Sequence, residues 1–244
     1  MARLSRRGFI GVALLGVSAA ATASTVATLD NRVEITRIDA GLGARLAFLP
    51  DIHYHDLGER HVEMALDAVA EADPDIVVLG GDLVDEETRD FDGLERLLKE
   101  VSRGENIAVL GNHEWWSGYS GRAATLLRRN GFKLLSNEYG ETSIGGIYGY
   151  DWGENRAYHA IKFNGLVISH DPNAADSVSG GALVLAGHTH GGFNLLGLTI
   201  YSNSRYTRGL YSLRGGVRLY VSRGLGQMFL QPRIHSKPEL LVID

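Results

Sequence analysis

The chain contains no cysteine. That excludes disulfide scaffolds, thiolate metal sites, cysteine nucleophiles and an acylated-cysteine anchor, and it removes any redox clue to compartment. Basic charge is also short. Lys and Arg total 24 against 29 Asp and Glu, a net of −5. Arg3, Arg6 and Arg7 lie in the leader, and no acid precedes Asp30, so residues 24–244 hold 21 basic and 29 acidic residues, a net of −8. Loose nucleic-acid binding depends on neutralising phosphates with Lys and Arg, so no stable nucleic-acid partner is expected. A phosphorylated small molecule stays compatible with this balance, because bound metal ions reverse the local potential.

No apolar run clearly reaches the roughly 20 residues that span a bilayer. The nearest approach is residues 1–23, with a basic head, an apolar stretch over 8–17 that runs into Ala19, Ala20, Ala21 and Ala23, and a small-x-small site at Ala21-Thr22-Ala23. This layout predicts a signal peptide. Within it, Ser5-Arg6-Arg7-Gly8-Phe9-Ile10 resembles a twin-arginine export signal. The expected partner is the twin-arginine machinery, and the expected location lies across the cytoplasmic membrane, periplasmic or extracellular, or membrane-associated if the leader stays on. A buried N-terminal helix or an uncleaved anchor is the competing reading.

Internal repeats, low-complexity linkers and a second domain boundary are lacking too, so residues 24–244 read as one domain, for which 44% hydrophobic content is ample. Nine short apolar runs, at 33–38, 45–50, 75–80, 107–110, 133–135, 144–150, 166–169, 183–186 and 219–222, have strand-like length and end in Gly, Asp, Asn or His. Helical spacing appears in His61, Met64, Ala65, Ala68 and Val69 before Pro74, in Phe91, Leu94, Leu97, Leu98 and Val101, and in Ala123, Ala124, Leu126 and Leu127 before Gly131. The mixture predicts a layered α/β sandwich with two central sheets. Asp51, Asp82, Asn112, His170 and His188 each fall at or just past the end of an apolar run, where α/β sheets gather ligand sites.

Five motifs carry these residues: Asp51-Ile52-His53, Gly80-Gly81-Asp82, Gly111-Asn112-His113-Glu114, Ser169-His170-Asp171 and Gly187-His188-Thr189-His190-Gly191. Asp-x-His in an extended segment puts both side chains on one side, and His188 with His190 repeats that spacing. Two carboxylates, four imidazoles and an amide form a mixed nitrogen and oxygen set suited to Mn, Fe, Zn or Co better than to Ca or Mg. No zincin pattern exists, since residue 117 is Ser, and Gly41-Leu42-Gly43 and Gly145-Gly146 lack the context of a phosphate loop.

In order and spacing, the five blocks resemble the calcineurin-like metallophosphoesterase superfamily, from about Leu46 to Gly192. The resemblance implies a four-layer α/β/β/α sandwich and two metal ions. It puts Asp51, His53 and His190 on one ion, Asn112, His170 and His188 on the other, and Asp82 between them. It also implies hydrolysis by a hydroxide held between the ions, with His113 facing the substrate to stabilise the transition state or protonate the leaving oxygen. The segments Ser204-Arg205-Tyr206-Thr207-Arg208-Gly209-Leu210-Tyr211 and Val221-Ser222-Arg223-Gly224-Leu225-Gly226 resemble an exported branch related to UDP-2,3-diacylglucosamine hydrolases. That implies phosphodiester or pyrophosphate bonds in envelope or lipid-linked molecules, with Arg205, Arg208 or Arg223 orienting anionic groups. A broad phosphomonoesterase or nucleotidase would use the same kit, and a non-catalytic scaffold would be expected to have lost ligands.

The remaining polar residues read more plainly. His55, His61, His159 and His235 are expected to be structural or exposed, and Asp85 and Asp171 to support or cap neighbouring motifs. The chain departs from the family pattern at Pro50, which fixes the entry to the metal loop, and at Phe193, where relatives often carry a polar Gln. It also departs at Tyr54 and His55, either of which is expected to line the substrate cleft. Trp115, Trp116 and Tyr119 either line that cleft or fill the core behind it.

Overall fold

The computed structural model describes residues 32–55, 59–195, 198–226 and 236–244. The expected leader at residues 1–23 and His235 lie outside them. No helix among the described residues is long and apolar enough to cross a membrane.

The first half supplies strands β1 (Glu34–Ile38), β2 (Leu46–Leu49), β3 (Ile76–Gly80), β4 (Glu105–Val109) and β5 (Lys133–Leu134). Helices α1 (Glu59–Ala72), α2 (Phe91–Val101), α3 (Asn112–Trp116) and α4 (Ser120–Arg129) lie between them. Strands β6 (Glu138–Thr142), β7 (Gly145–Gly149), β8 (Ile161–Lys162), β9 (Leu166–Ile168), β10 (Val178–Ser179) and β11 (Leu183–Ala186) follow. The chain closes through β12 (Phe193–Leu195), β13 (Leu198–Tyr201), β14 (Gly209–Ser212), β15 (Arg218–Val221) and β16 (Glu239–Ile243).

Helix α2 shows why these segments fold as they do. The Asp90 side chain accepts from Gly93 N at 2.8 Å, Asp92 sits in the first turn and Lys99 in the last, all favourable to the helix dipole. Phe91, Leu94, Leu97, Leu98 and Val101 then recur on one buried face. Each buried Leu contributes about 1.5–3 kcal/mol, so a charge at Leu94 or Leu98 would detach the helix.

Two six-stranded sheets form the centre, one ordered β1-β16-β2-β3-β4-β5 and the other β14-β15-β11-β9-β7-β6. Alternation along each strand divides the core. Ala47, Leu49, Val77 and Leu79 face the helices, while Leu46, Phe48, Ile76 and Val78 face the second sheet. On the far side, Val167, Val184, Leu219 and Val221 pack under a 3₁₀ segment, Pro172–Ser177, and the β8–β10 ladder. The four layers expected from the sequence are present, with the outermost built from these short pieces in place of long helices.

Each of the nine apolar runs overlaps a strand. Strand β16 lies outside all nine, yet it sits second in its sheet, parallel to β1 and antiparallel to β2, with Leu240 to Ile243 fully buried. Strands β2, β3 and β4 run parallel, as do β9 and β11, so their C-terminal ends open on common edges.

Candidate metal centre

Asp51, Asp82, His170 and His188 each lie two residues beyond β2, β3, β9 and β11, and Asn112 three beyond β4. All five are buried, as is His53, while His190 is partly exposed. Their donor atoms converge in three overlapping groups, Asp51–His53–His190, His53–Asp82–His113 and Asp82–His170–His188.

Nitrogens and oxygens face one another at close range. His53 Nε2 is 3.2 Å from His190 Nε2, and His188 Nδ1 is 3.2 Å from His170 Nε2. His170 Nε2 also meets Asn112 Oδ1 at 3.1 Å and Asp82 Oδ2 at 3.0 Å. The same Asp82 Oδ2 lies 3.8 Å from His53 Nε2. One carboxylate oxygen thus faces both halves of the site. Its twin, Oδ1, is occupied by the His113 backbone N–H at 2.8 Å.

The extended geometry expected for Asp-x-His and His-x-His is not what the structure uses. Asp51, His53, Asp82, His188 and His190 all have left-handed backbones, with φ of 55°, 46°, 51°, 73° and 48°. Such φ values strain residues with a Cβ and persist where surroundings over-determine them, commonly at functional sites. The kinks send His188 and His190 into different groups, which an extended i, i+2 pair would not do.

Outer contacts hold these side chains. The Gly80 carbonyl can only accept, so His170 Nδ1 donates to it at 2.9 Å and Nε2 is aimed inward. The Asp51 carboxylate accepts from His188 N at 3.0 Å. Asn203 places its amide 3.1 Å from His188 Nε2. Asp85 Oδ2 lies 3.5 Å from the buried His53 Nδ1, a long contact, and that nitrogen makes no closer hydrogen bond. His113 Nδ1 meets Glu86 Oε2 at 2.9 Å.

Glycine is required where the loops touch. A Cβ on Gly111 would stand 2.3 Å from Asp82 Oδ1, and one on Gly224 (φ +68°) 2.6 Å from the Asp51 Cβ and Oδ2. Neither clash has anywhere to go in a site this tightly closed.

Burial and mutual charge set the protonation pattern. Burial raises the Asp51 pKa, although His170 and His53 pull it back. Burial acts the same way on Asp82, but His170, His53 and His113 outweigh it and hold the group well below the carboxylate range. For His170, burial favours the neutral form, yet Asp82 and Asp51 win and push its pKa up to about 10. His188, buried and beside His170, falls to about 3 and stays neutral.

The family model for calcineurin-like phosphoesterases matches residues 44–192, the stretch that carries all seven side chains. The chain belongs to this family. An uncharacterized metallophosphoesterase of Aquifex aeolicus is 29% identical over 232 residues, covering 86% of this chain and 88% of the relative. One from Campylobacter jejuni is 28% identical over 231 residues, 87% of this chain but 61% of the longer relative. A transmembrane protein with a metallophosphoesterase domain from Danio rerio is 26% identical, with 87% of this chain and 55% of that protein covered. A solved structure from Thermus thermophilus aligns at 14% identity over 75% of this chain and 90% of its own, with a TM-score of 0.43.

Other residues singled out by sequence fall elsewhere. Tyr54 and Tyr119 pack, partly buried, against the helix-side core, and Tyr119 meets Phe91 edge-on at 5.0 Å. His55 sits 5.5 Å from His61, which reaches Ile52 O, and His159 meets Tyr148 OH at 2.8 Å. Asp171 caps the 3₁₀ segment and pairs with Arg156. Arg205 pairs with Asp176, and Arg223 with Glu34 and Glu239. Trp116 is exposed and in ring contact with both His113, at 5.3 Å, and Trp152, at 6.0 Å.

Trp152, Glu86, Asn203 and Gly224 join the site without any sequence reading having pointed to them there. Trp152 stands 5.2 Å from the His188 ring with its buried Nε1–H lacking any partner, an unsatisfied donor at the rim. None of the four lies in the five ligand motifs, although Gly224 falls within the 221–226 segment and Asn203 directly precedes the 204–211 segment.

Proposed function

We propose that this chain is a binuclear metal-dependent phosphoesterase that cleaves phosphodiester or pyrophosphate bonds. One observation carries the reading: Asp82 Oδ2 lies between His170 Nε2 at 3.0 Å and His53 Nε2 at 3.8 Å, the position of a bridging ligand. The donor set fits. Adjacent ligands at metal–nitrogen bonds of about 2.1 Å stand roughly 3.0–3.4 Å apart, and the two imidazole pairs are both separated by 3.2 Å. Asp51, His53 and His190 would hold one ion, Asn112, His170 and His188 the second, with Asp82 shared.

Bound there, two ions supply an activated water and neutralise phosphoryl oxygens. The chain's own residues do the rest. Glu86 orients His113 through Nδ1, leaving Nε2 to face the leaving oxygen and donate a proton to it. The Trp152 Nε1–H, buried without a partner in the ring beside His188, would serve as a donor to a bound oxyanion. Neutral His188 offers a lone pair without first losing a proton.

Envelope or lipid-linked esters are the proposed substrates, after export by the twin-arginine route. Support comes from the leader and from the resemblance of residues 204–211 and 221–226 to the UDP-2,3-diacylglucosamine hydrolase branch. The test compares bis-p-nitrophenyl phosphate, p-nitrophenyl phosphate and a UDP-sugar lipid on manganese- or zinc-reconstituted protein. Diester and pyrophosphate turnover should exceed monoester turnover. His113→Ala should keep both metals and lose roughly 10²–10⁴-fold in kcat. Absence of hydrolysis on every ester would defeat the reading.

A further inference from the structure

The β12–β13 hairpin belongs to neither sheet. Phe193 is 46% exposed, Leu198 68%, Ile200 59% and Tyr201 68%. All four residues of β13 are exposed, while Asn194 of β12 is buried, so the apolar exposure of the ribbon lies along β13 and at Phe193. A two-stranded ribbon has little stability of its own in water, and contiguous exposed apolar surface marks a binding surface. Phe193, Leu198, Ile200 and Tyr201 are the aliphatic and aromatic side chains that suit a leaflet and its interface.

Charge points the same way. No charged side chain lies between His190 and Arg205. No Asp or Glu lies between Asp176 and Glu239, a stretch with seven Lys and Arg in a chain of net charge −5. Arg205, just past the hairpin, has a side chain 69% exposed, in a surface pair with Asp176 at 3.2 Å that anionic headgroups can compete for.

The ribbon is tied to the metal centre at both roots. Asn194 Nδ2 donates to Gly191 O at 3.0 Å and Gly192 O at 2.8 Å, directly after His190, and Thr199 Oγ1 holds Asn194 Oδ1 at 2.8 Å. Beyond β13, Asn203 Nδ2 donates to His188 O at 3.1 Å. Whatever surface takes the hairpin therefore sits at the mouth of the site.

We infer that the β12–β13 hairpin inserts into an anionic lipid surface and brings the metal centre to the headgroup level. Its consequence for substrate, an amphiphilic phosphate ester whose apolar part stays in the leaflet, rests on the phosphoesterase reading. The anchoring itself does not.

The absence of cysteine makes the test clean. Ile200→Cys, labelled with an environment-sensitive fluorophore in the full chain, should shift to blue emission on phosphatidylglycerol/phosphatidylethanolamine vesicles. An identical label at exposed Glu141→Cys should not shift. The leader is common to both, so it cannot produce the difference. Leu198→Ser with Ile200→Ser should weaken vesicle partition at least tenfold against the wild-type chain, yet leave hydrolysis of soluble bis-p-nitrophenyl phosphate unchanged. A label at residue 200 that stays water-like on vesicles overturns the proposal. So does a hairpin whose burial tracks protein concentration without lipid, which would assign it to a second copy. If the label shifts but the metal-loaded protein cleaves no ester, the anchor stands and the catalytic reading falls.

Discussion

Asp82 and Glu114 brace each other across two loops. Glu114 Oε2 accepts from Asp82 N at 3.0 Å and from Gly111 N at 2.7 Å, and Oε1 from Leu83 N at 2.6 Å and Val84 N at 3.1 Å. Asp82 Oδ1 in turn accepts from the N–H of His113, the residue just before Glu114. Burial and the nearby Asp82 raise the Glu114 pKa, and its amide donors oppose that rise. The carboxylate pins the β3 and β4 loops so that Asp82 Oδ2 stays aimed between the two ligand groups.

Glu114→Gln replaces one acceptor by an amide that confronts backbone N–H groups in a buried space. The variant should lose roughly 2–4 kcal/mol, read as a lower urea midpoint at unchanged m-value. A wild-type midpoint would show that the brace contributes nothing.

Gly224→Ala and Gly209→Ala separate backbone strain from crowding. Both glycines have positive φ, +68° and +82°, but only at Gly224 does a Cβ meet Asp51, while Gly209 has nothing within 4 Å. Each change should cost about 1 kcal/mol or more of stability. Only Gly224→Ala should also lower metal affinity, by at least about tenfold, through displacement of Asp51. Equal metal content in the two proteins would contradict this.

Metal loading should release protons. The metal-free His170 pKa of about 10 lies above the ordinary histidine value. Its contribution to stability is therefore full below about pH 6.5 and lost as pH rises through about 10. A metal needs the Nε2 lone pair and must displace that proton, so apparent affinity should rise with pH across the same window. Calorimetric titration at about pH 7.5 in two buffers of different ionisation enthalpy reads the release directly. Buffer-independent heats would refute it.

Glu86→Gln tests the orientation of His113. The 2.9 Å contact is to a carboxylate 47% exposed, so a loss near the lower end of roughly 10–100-fold in kcat is expected, with KM and metal content little changed. His113→Ala should exceed it. Wild-type turnover for Glu86→Gln would leave His113 held by its helix alone.

Much of the centre is legible in the chain because its ligands sit in short motifs at the ends of apolar runs. The rule that strands aim polar residues from their C-terminal ends needs only local pattern and one parallel sheet. The same locality explains α1, α2 and α4, whose apolar spacing is read within each segment. Helix α3 gives no such signal, being five residues long with two of them exposed tryptophans.

What local pattern could not carry was decided by contacts distant in sequence. Strand β16 reaches its place beside β2 across most of the chain, and nothing near Leu240 announces that neighbour. Glu114 became a brace, Gly224 a seat for Asp51 and Asn203 a partner of His188 only when loops from both sheets met. The left-handed turns at Asp51, His53, Asp82, His188 and His190 belong here too. Residue type supplied the ligands and their order. Closure of two sheets around one buried crevice supplied the strain, the tautomers and the shared oxygen of Asp82, because only packing across the chain can outweigh a residue's own backbone preference.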